Sequence, residues 1–232
     1  MRILGIESSS LVASVALVTD DVLTAEYTVN FKKTHSQTLL PMLDEVAKMI
    51  ELDLNSVDAI AVSGGPGSFT GLRIGSATAK GLGLALKKPL IHVPTVDAMA
   101  YNMWGYKGLV CPIMDARRNQ VYTGIYRMSA GMEIIKEQCP MDMKKLAEEL
   151  NGLGEPVVFL GDGMPVCRPI IEEVMTVPYE FAPAHMNRQR AGAVAALGAV
   201  YYQEGKTESA AEHAPDYLRK SQAERERNGE TL

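Results

Sequence analysis

Glu7 and Asp115 each end a short apolar strand, Ile3-Leu4-Gly5-Ile6 in one case and Cys111-Pro112-Ile113-Met114 in the other, and each opens onto a hairpin. Two carboxylates presented in this way suit the holding of a metal-bound nucleotide between two lobes. A third segment, Gly64-Gly65-Pro66-Gly67-Ser68-Phe69-Thr70-Gly71, lies between a buried strand and a helix. Backbone N–H groups at such a helix start can bind an anion, and the same residues also read as a sharp turn with Ser68 or Thr70 as N-cap. The run is not a Walker A loop, since no Gly-Lys-Ser/Thr follows, and Thr70 stands where Gly-x-Gly-x-x-Gly needs its last Gly. The second hairpin reads Asp115-Ala116-Arg117-Arg118, where phosphate loops generally use Gly so that the backbone can approach the anion. Arg117 and Arg118 either reach phosphate through their side chains or pair with acids at an interface. Gly161-Asp162-Gly163 follows another buried strand and reads as an adenosine-contacting turn or an ordinary one. Together Glu7, Ser8, Ser9, Asp115, Arg117, Arg118, Gly161 and Asp162 outline a degenerate nucleotide cleft.

Other chemistries have less support. The histidines at 35, 92, 185 and 213 include no i, i+4 pair and no His-Glu-x-x-His, which excludes a helical metal pair. No metal ligand set and no cofactor are expected. There is no Gly-x-Ser-x-Gly elbow and no cysteine in a nucleophile motif, so no catalytic constellation assembles. Cys111, Cys139 and Cys167 lack a CxxC pair and are expected as buried thiols in a reducing compartment. The net charge of −5 and the absence of a Lys/Arg block argue against autonomous binding to nucleic acid. No apolar run approaches the ~18 residues of a membrane span, so a soluble, cytoplasmic protein is expected.

The elements that carry these residues repeat. Strands are expected at Ile3 to Ile6, Val12 to Val18, Val22 to Val29, Asp58 to Ser63 and Leu90 to Val93, with helices over 36–51, 70–86 and 95–103. The order βββαβαβα recurs more weakly in strands at Leu109 to Met114, Gln120 to Tyr126, Met132 to Lys136, Val157 to Leu160 and Val177 to Phe181. Helices over 142–150, 165–174 and 188–203 go with them. An internal duplication follows, with lobes at 1–106 and 107–232. Two such lobes facing each other are the layout of the actin/Hsp70/sugar-kinase superfamily. The expected class is thus α/β, a two-lobed actin-like ATPase (ASKHA, RNase H-like) fold with duplicated βββαβαβα lobes. The charged tail, 219–232, is expected to be disordered.

Two helices carry more than their sheet needs. Residues Leu39, Leu40, Met42, Leu43, Val46, Ala47, Met49 and Ile50 sweep about half the circumference at ~100° per residue, and Met42 and Met49 form a candidate exposed strip. The next helix has a row of small residues at Gly71, Gly75, Ala79 and Gly83 and a second at Ala77, Gly81 and Ala85. Each interior Gly costs a helix ~1 kcal/mol against Ala, which points to close approach by something. One row seats the sheet and the other receives a partner; the pattern does not say which.

Several stretches resemble the TsaB family, also called YeaZ. They are Arg2 to Ser9, His35 to Met42, above all Gly65-Pro66-Gly67-Ser68-Phe69-Thr70-Gly71-Leu72-Arg73-Ile74-Gly75, then Asp115 to Arg118 with Val121-Tyr122, and Pro215 to Arg219. The family's usual first loop, Asp-Thr-Ser or Asp-Thr-Ala, is Glu7-Ser8-Ser9 here. The catalytic relative TsaD carries a His-x-x-x-His motif that this chain lacks. The resemblance implies a non-catalytic scaffold in the complex that transfers threonylcarbamoyl to adenosine 37, next to the anticodon, of tRNAs reading codons that start with A. It implies pairing with TsaD through the first two helices, a homodimer through the same surface when alone, association with the ATPase TsaE, and contact with tRNA only through the complex. Partner contacts are then expected at His35, Leu39, Met42, Leu43, Val46, Met49, Gly71, Arg73, Ile74, Gly75, Thr78 and Leu82. Gly75→Leu is expected to block pairing without unfolding the lobe. The alternative is an actin-like-fold ATPase or small-molecule kinase.

Overall fold

The structure, a computed structural model, describes residues 1–218. Its first half runs β1 (Arg2–Glu7), β2 (Val12–Thr19), β3 (Val22–Asn30), α1 (His35–Met49), β4 (Ala59–Gly65), α2 (Phe69–Leu86), β5 (Leu90–Pro94) and α3 (Thr95–Tyr101). The second half repeats it as β6 (Leu109–Asp115), β7 (Gln120–Arg127), β8 (Glu133–Asp142), α4 (Met143–Leu153), β9 (Val157–Leu160), α5 (Met164–Val174), β10 (Tyr179–Phe181) and α6 (Ala191–Gln203). The strand orders match: β3-β2-β1-β4-β5 and β8-β7-β6-β9-β10. In each sheet the first three strands are antiparallel and the last two run parallel to the first. This is the expected actin-like α/β fold. The tail at 219–232, and Arg219 with it, lies outside the described residues.

Strand composition follows position. Central β1 and β4 are buried on both faces and read as unbroken apolar runs, as a sheet covered on both sides requires. Edge strand β3 leaves Val22, Leu23 and Tyr27 exposed. Helices α1 and α2 cover one face of the first sheet through Leu39, Met42, Leu43, Val46 and Ala79. In the second half α4 and α5 do the same through Leu146, Leu150, Cys167 and Ile171.

The inner faces are covered crosswise. Helix α6, from the end of the second half, packs on β1, β2, β4 and β5 of the first sheet, against Ile3, Ala59, Ala61, Ile91 and Val93. Helix α3 bridges both sheets and joins Val110, Met114, Tyr126 and Val158 of the second through Val96, Met99 and Ala100. Almost every turn of α6 is small or apolar, and Gly5 and Gly198 leave room for backbone-close packing: a Cβ at Gly5 would meet Ala191 O, and one at Gly198 would meet Ala61. The first turn of α6 is capped by the other half, since Ala191 N donates to Ser14 Oγ (3.0 Å) and Gly192 N to Glu26 (2.8 Å). Those partners lie more than 160 residues away in sequence, so the helix starts at Ala191 rather than at 188. Similarly, β8 runs on to Asp142, whose carboxylate accepts Lys144 N and Lys145 N and caps α4.

Candidate functional site

The two acidic hairpins face each other across a cleft of about 750 Å³ lined by Ser9, His35, Gly67, Asp115, Arg117 and Asp162. Glu7 is 1% exposed and turned into its own hairpin, where Oε1 accepts Ser9 N (2.6 Å) and Ser9 Oγ (2.5 Å). Burial, with the nearby Asp162 charge adding to it, pushes the Glu7 carboxyl up to about 7 against those two stabilising bonds. The rest of the hairpin is also engaged. Ser8 N donates to Ser63 Oγ (3.4 Å), Ser8 Oγ to Gly71 O (2.9 Å), Ser68 N to Ser9 O (2.7 Å), and His35 Nε2 lies 2.8 Å from Ser10 O. The donors a phosphate would need from this hairpin, Ser8 N, Ser8 Oγ and Ser9 N, are thus taken up by Ser63, Gly71 and Glu7.

Across the cleft, Asp115 is spent on its own turn. It accepts Arg117 N (2.7 Å) and pairs with the exposed Arg117 guanidinium (3.2 Å). Arg117, Arg118 and Asn119 all have positive φ, 68°, 57° and 58°, a left-handed region that costs an L-residue roughly 1–2 kcal/mol. Gly161 has φ 116° and abuts Ile113 O, while its own carbonyl accepts Arg188 Nη1 (2.8 Å). Asp162 is half-buried, desolvation raises its carboxyl, and its buried Oδ1 has no hydrogen-bond partner among the described residues. Of the eight expected cleft residues, Ser9, Asp115, Arg117 and Asp162 line this cleft, and the Glu7 and Asp115 carboxylates are each engaged within their own hairpin.

The expected partner residues separate into two sets. His35, Leu39, Met42, Leu43 and Val46 are buried beneath α1. Gly71 and Gly75 face inward, where a Cβ would overlap Ser8 O and Ser8 Oγ respectively. The row Gly71, Gly75, Ala79 and Gly83 is therefore the seated one. The expectation that Met42 is exposed and that Gly75→Leu spares the fold is corrected: α1 leans on the sheet through Met42, and Gly75 touches the acidic hairpin. Met49, 85% exposed, and Arg73 remain at the surface, with Ile74, Thr78 and Leu82 half-buried. Arg73 lies over the stacked rings of Phe69 and Tyr217, with Nε donating to Tyr217 (3.2 Å).

Between α1 and α2 runs an outward groove of about 460 Å³, floored by Ala77, Thr78 and Gly81 and walled by Ser36, Leu40 and Ile74. A Cβ at Gly81 would meet nothing within 4 Å. Leu40 (53% exposed) lines this groove as a bare apolar side chain, and Leu84 (67%) is bare further along α2. The second small row, Ala77, Gly81 and Ala85, thus faces solvent. Leu40 and Leu84 were absent from the expected contacts; their signal was an apolar residue out of phase with the buried stripe.

A family model described as TsaD, tRNA N6-adenosine threonylcarbamoyltransferase, matches residues 25–227. The chain is 34% identical over 229 residues to the tRNA threonylcarbamoyladenosine biosynthesis protein TsaB of Bacillus subtilis (strain 168), covering 97% of this chain and 96% of that one. It is 37% identical over 129 residues to the protein of the same name from Escherichia coli (strain K12), covering 55% of each. The solved structure of YeaZ from Pseudomonas aeruginosa superposes with a TM-score of 0.80 at 25% identity, covering 94% of this chain and 99% of that one.

Proposed function

Because the chain belongs to the TsaB (YeaZ) family, we propose that it serves tRNA threonylcarbamoyladenosine biosynthesis as a non-catalytic subunit that binds and activates TsaD. The observation that supports this reading is the open α1–α2 groove, floored by Ala77 and Gly81 and walled by bare Leu40. A floor of small residues admits the backbone of a partner helix at close range, and the apolar flanks supply area that loses water on association. A second copy uses the same strip when TsaD is absent. TsaE joins the pair, and tRNA meets this chain only through the complex. The engagement of Glu7 and Asp115 within their own hairpins supports a non-catalytic role over that of an ATPase or small-molecule kinase.

Reconstitution tests the proposal. With tRNA, threonine, bicarbonate, ATP, the adenylate synthase, TsaD and TsaE present, modified adenosine is expected only when this chain is added. None is expected when it replaces TsaD. Equal product with and without the chain would overturn the assignment.

A further inference from the structure

The chain after α6 returns along the β5 edge of the first sheet. Glu208 and Leu90 exchange two backbone hydrogen bonds, both 2.9 Å, so the strap extends the sheet by one bridge. Lys80 Nζ on α2 donates to Ala211 O (3.3 Å) and His213 O (2.9 Å). Asp216 N donates to Gly64 O (2.7 Å), and Tyr217 stacks on Phe69 with ring centroids 4.6 Å apart. These contacts hang three polar side chains of the strap over His92 of β5.

The cluster so formed has the composition of a metal site. His92, Glu208 and His213 can each offer one ligand atom, all within 4.8 Å of one another. The His213 side chain is wholly buried, its Nδ1 lies 2.6 Å from Glu208 Oε1, and its Nε2 has no hydrogen-bond partner among the described residues. His92 Nε2 is also buried without a hydrogen bond, although Asp216 Oδ2 lies 3.3 Å away. The His92 ring lies flat on Gly64, where any Cβ would overlap it, so the imidazole is held in place. Buried imidazole nitrogens without hydrogen bonds are expensive for a fold to keep. A cation among the three ligand atoms would offset that cost for the nitrogens it binds.

We propose that His92, Glu208 and His213 form a binding site for a divalent transition metal of the zinc class, with Asp216 beside His92 as a further oxygen donor. Two imidazoles and a carboxylate suit zinc, whereas magnesium and calcium favour oxygen ligands throughout. Such a site would clip the strap to the β5 edge, because one ligand comes from the sheet and the others from residues 208 to 216.

The full chain, stripped with chelator and titrated with zinc chloride, is expected to retain one zinc per chain by equilibrium dialysis and elemental analysis. It should also show a melting temperature that rises with free zinc. Cobalt(II) in its place is expected to give the visible ligand-field bands of a low-coordinate nitrogen and oxygen site. Glu208→Gln and His92→Gln should each weaken zinc binding at least ~10-fold, while His185→Gln, at an exposed histidine outside the cluster, leaves it unchanged. Glu208 is partly exposed and Gln preserves its shape, so this variant separates lost ligation from lost folding even if changes at His213 unfold the chain. Failure to retain zinc, or undiminished binding by Glu208→Gln and His92→Gln, would overturn the site.

Discussion

Glu7 is buried as a carboxyl that ionises near neutrality, and this gives stability a pH dependence of definite sign. Its folded value, about 7, lies above the ordinary 4.5. The favourable contribution of the protonated form is complete below pH 4.5 and is lost as pH rises through 7. Glu7→Gln keeps the acceptor for both Ser9 bonds and removes the titration. In urea melts the variant is expected to match the wild type near pH 4.5 and to exceed it at pH 8 by on the order of 3 kcal/mol; an equal difference at both values would refute the assignment. Arg118 invites a second test at the same scale. It sits at φ 57° between two other left-handed residues, so Arg118→Gly should raise stability by about 1 kcal/mol in thermal unfolding. The sequence shows that Gly is missing from this hairpin. It does not show that the backbone nevertheless takes the conformation Gly would favour, because φ is imposed by closure of β6 onto β7.

For α2, the two small rows have opposite roles. Gly75→Leu drives a side chain into Ser8 and should cost at least ~3 kcal/mol, seen as a lowered denaturation midpoint. Gly81→Leu meets open space and should leave circular dichroism unchanged, with helix stability up by as much as ~1 kcal/mol. Light scattering of Gly81→Leu mixed with TsaD should show no complex, and a normal complex would remove the groove from the interface. Both rows were legible in the sequence as a four-residue period. Which row faces the fold was not legible, because both consist of Gly and Ala and the deciding contact comes from the Ser8-Ser9 hairpin. Met42 and Met49 pose the same problem on α1: their types are identical, and only the tilt of the helix on the sheet buries one and bares the other.

The duplication was legible across the whole molecule because strand order and hydrophobic period repeat. The crosswise placement of α3 and α6 was not, since a helix apolar on most sides announces burial without naming its sheet. Glu26 holds that placement: it accepts Gly192 N and pairs with Arg190 through a very short contact. Glu26→Ala should cost about 2–3 kcal/mol by leaving the α6 amide and a half-buried guanidinium unsatisfied, as read from urea unfolding. The cluster at His92 escaped the reading of histidine spacing for a related reason. Spacing tests ligands on one helix, and here a sheet edge and a distant strap meet. The placement of α6 also sets a schedule for synthesis. The five strands of the first sheet leave the ribosome long before Ala191, and at roughly 5–20 residues per second the wait is on the order of ten seconds. Through that interval Ile3, Ala61 and Val93 have no cover from α6, so the nascent chain carries an open apolar sheet face that chaperones, or a neighbouring nascent chain, can reach first.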